Sequence, residues 1–335
     1  MAPTGKKGRN MFSIKMSTLI GHIILSATVF LSLRGNADQI AADNLHIRSI
    51  PTTKNTVMCI TIPKSGTHML MRGISALNIK GLWYNCKKDI ASSTKLNYIR
   101  SINKNLPPNH YKGLYYPILK KILPTSLIRN MINNKPKNLF FSHCPYIHQF
   151  NQILQSRTTA NFFMIRDPRA MVVSFAFMIH KSFDGQEIDL EKIILDLITG
   201  DQKNYVPWGV EHHEAYPLIW EVGLYKFYEM YLPWKKAKNF MIVKFEDLVG
   251  KKGGGSKEKQ RETIKNIGLH LGVNMTSQKV QAVINNIFGE TSTFREGKID
   301  SWKKHFTPKV EAAFKQDANL MQLLIDLGYE QNKNW

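Results

Sequence analysis

Four short, largely apolar runs, each followed by a longer amphipathic stretch, constrain this chain more than any other feature: Val57–Ile62, Leu139–Ser142, Phe162–Ile165 and Met241–Phe245. Runs this short, with little polar alternation, suit strands buried on both faces. Strands separated by helices predict an α/β architecture: a central, mostly parallel β-sheet flanked by helices in a single domain. The helix signals agree. His68–Leu77 reads as the helix after the first strand, and Asp167–Pro168 opens another, with Asp as N-cap and Pro at the first helical position, where its missing N–H costs nothing. Leu218–Trp234 carries Met and aromatic residues at helical spacing and reads as core. Ile79–Lys137, with scattered Pro, Asn and Lys, reads as a substrate-facing insertion, and Lys251–Lys257, with its three glycines, as a flexible basic loop. Hydrophobic residues make up 43% of the chain, enough to bury a sizeable core and to exclude wholesale disorder.

The expected organisation is a folded domain over 51–335 behind a targeting segment and linker over 1–50. Lys6, Lys7, Arg9 and Lys15 precede an uncharged run from Met16 to Leu33, closed by Arg34. That layout fits a single-pass anchor for ~30 Å of hydrocarbon, with the basic flank cytoplasmic. It also fits a secretory signal cleaved near Gly35–Ala37, or an amphipathic helix of a cytoplasmic protein. Three cysteines (Cys59, Cys86, Cys144) without a CxxC argue against a disulfide framework or a Cys-rich zinc site. The formal net charge of +21 favours anionic partners without choosing among them.

Three segments carry chemistry. Ile62-Pro63-Lys64-Ser65-Gly66-Thr67 lies between a strand and a helix, where unpaired N–H groups and the helix dipole favour a phosphate or sulfate. Gly66 permits close approach of the backbone, Ser65 and Thr67 add hydroxyls, and Lys64 adds charge. An ordinary strand-to-helix turn has the same local look. In the second segment, Arg166 ends a strand at the sheet edge where α/β proteins bind ligands, and Ser174 follows two turns into the next helix. A guanidinium plus a hydroxyl suits a phosphate, while a salt bridge to Asp167 is the plain alternative for Arg166. In the third, Phe294-Arg295-Glu296-Gly297 followed by Trp302-Lys303 suits a lid over an anion or a solvated basic loop.

Together these segments resemble the sulfotransferases that use 3′-phosphoadenosine 5′-phosphosulfate (PAPS), over about Thr56 to Thr307. Ser142-His143-Cys144-Pro145 is similar to the family's catalytic-histidine segment, and Lys244-Phe245-Glu246-Asp247-Leu248 to its YEDL strand end. The resemblance implies that Lys64, Ser65, Gly66 and Thr67 hold the 5′-phosphosulfate. It implies that Arg166, Ser174, Arg295 and Gly297 hold the 3′-phosphate, with Phe245 near the adenine. Lys64 and His143 are the implied catalytic pair, His143 as general base. The chain departs from the family pattern at His68, Met69, Glu296 and Asp300-Ser301.

Sulfuryl transfer fits these residue types. Negative charge grows on the leaving phosphate oxygen, which Lys64 can stabilise, and a neutral imidazole can take the acceptor's proton. The side chains supply the charge, so no metal is expected, and no nucleic acid partner. His110, His148, His212, His213 and His305 are weaker acid–base candidates. The acceptor is a hydroxyl of a small alcohol, lipid or glycan. Two other classes compete. A nucleotide-dependent P-loop kinase should show GxxxxGK[ST], which is absent, and a non-catalytic polyanion-binding module would explain the charge alone.

Overall fold

The computed structural model describes residues 56–78, 83–84, 138–158, 160–182, 189–200, 217–289 and 295–335, all within one compact unit, Thr52–Trp335. The apolar run from Met16 to Leu33, most of the expected insertion over 79–137, and His110, His212, His213 and Phe294 lie outside the described residues.

Five strands form one parallel sheet: β1 (Val57–Thr61), β2 (Trp83–Tyr84), β3 (Asn138–Ser142), β4 (Ala160–Ile165) and β5 (Phe240–Lys244), in the order β2-β3-β1-β4-β5. The four predicted runs are strands within two residues of their expected ends. The fifth, β2, is too short to leave a periodic signal. Phe245 leaves the strand predicted for it and starts a short helix, Phe245–Val249.

Alternate residues of the buried strands feed two separate cores. Met58, Ile60, Phe163 and Ile165 join the core formed with helices Pro168–Ser182, Leu190–Thr199 and Pro217–Glu229. Val57, Cys59, Phe162 and Met164 join the other, with helices Thr67–Ala76, Lys257–His270 and Ser277–Ile287. Both faces of the sheet are therefore covered, which is why β1 and β4 are buried along their whole length. Ile219, Leu224, Phe227, Tyr228, Tyr231 and Trp234 are buried, as the helical stripe predicts. Among the described residues, no helix is long and apolar enough to cross a membrane.

The expected flexible loop over Lys251–Lys257 is instead a fastened turn. Lys251–Gly253 is a single 3₁₀ turn, Gly255 N–H donates to Gly250 O (2.9 Å), and Ser256 caps the following helix. The glycines there provide room rather than looseness. Ile299 N–H donates to Gly253 O (2.9 Å), and a Cβ on Gly253 would lie 2.5 Å from Gly297 O. The turn thus holds the segment after Arg295 against the body of the domain.

Because all strands run the same way, their C-terminal ends share one edge. Ile60 pairs with Ser142, Thr61 with Met164, and Ile165 with Lys244. One residue beyond these ends stand His143, Arg166 and Phe245, around the loop that leaves β1. Parallel register alone brings the segments together at this edge.

Candidate active site

The loop Ile62–Gly66 is braced from within. Ser65 N–H donates to Ile62 O (3.0 Å), and the Ser65 hydroxyl donates to Ile62 O (2.6 Å) and contacts Met164 O (3.1 Å). Ser65 is fully buried, and its hydroxyl shapes the loop in this conformation. Lys64 and Gly66 both adopt positive φ (68° and 103°), which turns the chain sharply into the helix. Gly66 is the N-cap, and no side chain caps this helix. In its first turn the Met69 N–H donates back to Gly66 O (2.9 Å), so the donors this end can offer a ligand are the N–H groups before it.

A cleft opens over the loop, and every predicted site residue except Ser65 lines it. Lys64 and Arg166 therefore share one cavity, as a nucleotide with an anion at each end requires. Burial, then repulsion from Arg166 and Arg295, lowers the Lys64 ammonium to about 8. Three cations facing one volume raise its affinity for an anion.

Arg166 is 8% exposed and has no ion pair among the described residues. Its guanidinium donates only to carbonyls, Nη1 to Lys64 O (3.2 Å) and Nη2 to Lys298 O (3.3 Å), and its buried Nε has no partner. The Phe245 ring lies 4.2 Å beneath it. Asp167, the alternative partner from the sequence, pairs with Arg169 instead at 2.7 Å. As N-cap, Asp167 accepts from the Arg169 N–H (2.8 Å), which turns its carboxylate along the helix and away from Arg166. Burial lowers the Arg166 pKa, partly offset by Glu246 and Asp167. A buried cation without an ion pair is costly, and a bound phosphate offsets that cost.

Arg295 lies over the Phe177 ring (4.1 Å), pairs with Glu296 (2.9 Å) and reaches Ser301 Oγ (3.4 Å). Glu296 thus takes up part of the charge that the resemblance assigns to ligand binding. Gly297, with φ 63°, and Ser174 complete this wall of the cleft.

On the other side of the loop, His143 Nδ1 lies 2.9 Å from Thr61 O and 3.0 Å from Thr61 Oγ1. A carbonyl oxygen only accepts, so Nδ1 carries the hydrogen and Nε2 holds the lone pair of the neutral ring. Thr61 Oγ1 is also 2.8 Å from Thr67 Oγ1, so His143 and the loop share one buried hydroxyl pair. Tyr231 OH donates to His143 O (2.7 Å), and Tyr228 OH donates to Arg166 O (2.6 Å). The stripe read only as core therefore also holds the backbone at both functional residues. Each such bond contributes about 1 kcal/mol.

His68 and Arg72 also line the cleft, one helical turn apart on the helix that follows the loop. Burial, then the positive field of His143, Lys64 and Arg72, lowers the His68 pKa. Their i, i+4 spacing is the signal by which the sequence could have placed them together. His305 lies outside the cleft lining, against Phe177. No group of three or more His, Cys, Asp or Glu among the described residues is arranged to hold a metal.

Gly66→Ala tests the loop. A Cβ would sit 2.8 Å from Phe245 Cδ2 and 2.9 Å from Met164 Cε, at a φ that L-residues rarely adopt. We expect a loss of about 1–3 kcal/mol in chemical denaturation, with weakened nucleotide binding because Phe245 supports Arg166.

The sulfotransferase-domain family model matches residues 54–324. Among solved structures, mouse sulfotransferase SULT7A1 complexed with PAP is similar at 15% identity, with a TM-score of 0.52, over 84% of this chain and 89% of that one. This likeness is one of fold. Retinol dehydratase in complex with androsterone and inactive cofactor PAP aligns at 14% identity with a TM-score of 0.47, over 81% and 80% of the two chains. No curated protein matches this chain.

Proposed function

The chain belongs to the sulfotransferase-domain family, and from that premise we propose that its cleft binds PAPS and passes the sulfuryl group to an acceptor hydroxyl. The observation that carries the reading is the convergence of Lys64, Arg166 and Arg295 on one cleft, with His143 held at the opposite side of the loop. Gly66, Thr67 and the first turn of their helix supply N–H donors for the 5′-phosphosulfate, and Lys64 supplies the charge. Arg166, Ser174, Arg295 and Gly297 take the 3′-phosphate. Ser65 contributes by shaping the loop.

In the reaction, the sulfur–oxygen bond to the donor phosphate breaks as a bond from the acceptor oxygen to sulfur forms. His143 Nε2 takes the acceptor's hydroxyl proton, and the Lys64 ammonium meets the charge left on the phosphate oxygen. The Nδ1–H to Thr61 bond keeps the ring in the tautomer that can accept that proton. Phe245, with Arg166 on its ring, forms the floor between the two phosphate sites.

The acceptor class is a hydroxyl compound: a small alcohol, lipid or glycan. The uncharged run Met16–Leu33 behind its basic flank supports a membrane anchor that places the domain on the far side of the bilayer. In that case donor and acceptor must both be present in that compartment. Incubation of the full chain with PAPS labelled in the sulfuryl group and panels of these three acceptor classes tests the function. Transfer of label to one panel is the expected result. Absence of transfer, with tight ATP binding, would favour a kinase.

A further inference from the structure

The family match stops at residue 324, yet the segment that follows the helix Ala318–Asp326 is fastened to the back of the cleft. Tyr329 OH donates to Glu246 Oε2 (3.1 Å), whose Oε1 accepts the Asp167 N–H (2.9 Å). Glu246 follows Phe245, the ring beneath Arg166. Glu330 forms a 2.6 Å ion pair with Arg169, which also binds Asp167 at 2.7 Å. Arg169 sits in the corner of two indoles that meet edge to face, 4.3 Å from the Trp302 ring and 4.4 Å from the Trp335 ring. Trp302 adjoins Ser301, whose Oγ lies 3.4 Å from Arg295. Trp335 is further packed by Phe306 and Phe314.

Two routes therefore run from this segment to the cleft, one reaching Arg166 and the other Arg295, while Tyr329, Glu330 and Trp335 do not themselves line the cavity. We propose that Tyr329, Glu330 and Trp335 are positioning residues for recognition of the 3′-phosphate: a strap that fixes, through Glu246 and Arg169, the two arginines of that wall. The proposal rests on the donor site described above. Its physical basis is the Asp167–Arg169–Glu330 network, in which one buried guanidinium is held between two carboxylates. Removal of the Glu330 charge leaves Arg169 held by Asp167 alone, and the guanidinium shifts toward it. Two perpendicular indole faces form the corner in which the guanidinium sits.

The test is titration of the full chain with 3′-phosphoadenosine 5′-phosphate (PAP) and, separately, with adenosine 5′-phosphate. The ratio of their affinities isolates the 3′-phosphate contribution. In Glu330→Gln and Trp335→Ala we expect this ratio to fall about tenfold, with adenosine 5′-phosphate affinity within about twofold of the parent. Trp335→Phe should restore most of the ratio. An unchanged ratio, or parallel weakening of both ligands, would overturn the strap. Should Trp335→Ala fail to fold, Glu330→Gln, which preserves shape, decides by the same ratio. A parent chain with no preference for PAP would refute the donor site itself, which separates the two failures.

Discussion

His143→Ala should lower the rate of sulfuryl transfer about 10²–10⁴-fold while leaving PAP affinity within about twofold of the parent. The imidazole stands beyond β3, on the opposite flank of the loop from Arg166. Its Nδ1–H is committed to Thr61 O at 2.9 Å, which leaves Nε2 as the proton acceptor of the proposed mechanism. Its removal would take away that proposed base and leave the cationic wall intact. Single-turnover transfer at saturating PAPS, beside calorimetric titration with PAP, measures both quantities. A variant that retained most of its rate would show that another group, His68 being nearest in environment, serves as base.

Lys64→Met should cost about 10²–10³-fold in the same rate, because it deletes the cation that meets developing charge on the leaving oxygen. It should also change the pH dependence of binding. In the ligand-free protein, burial and two arginines hold Lys64 near 8, below its ordinary 10.5. Between these values the unfolded chain binds more protons, so the ligand-free fold gains stability from this group as pH rises. An anionic ligand reverses the preference by favouring the ammonium. PAP binding above about pH 8 should therefore take up a proton, and its affinity should fall with further increase in pH. Lys64→Met should remove that dependence. Titrations in buffers of different ionisation enthalpy report the proton directly, and uptake that persisted in the variant would place it on another group.

The sheet was legible because β1, β3 and β4 are buried on both faces and so appear as compact apolar runs, and because β5, only partly buried, is apolar all the same. The anion loop was legible because Pro63 to Thr67 interrupts the pattern between strand and helix. What the sequence left hidden were relations between distant positions. Thr61 and His143 meet only because parallel register aligns the ends of β1 and β3. The pairing of Asp167 with Arg169 rather than Arg166 follows from N-cap geometry, which a string of neighbouring charges does not express. The ordered turn at Gly253 resembles a loose one in sequence because glycines needed for close backbone approach have the same composition as a linker. The Arg169–Trp302–Trp335 cluster joins residues whose types are individually commonplace. Charge density misleads in the same way: the net charge of +21 says little, whereas three cations in one cleft, two of them with no ion pair among the described residues, say a great deal.

The central claim is that one nucleotide, anionic at both ends, spans the Lys64 loop and the Arg166–Arg295 wall. Calorimetric titration with PAP beside ATP tests it most directly. The account predicts saturable one-to-one binding of PAP, much weaker binding of ATP, and loss of the preference in Arg166→Ala. Equal or tighter binding of ATP, or PAP binding indifferent to Arg166, would contradict it.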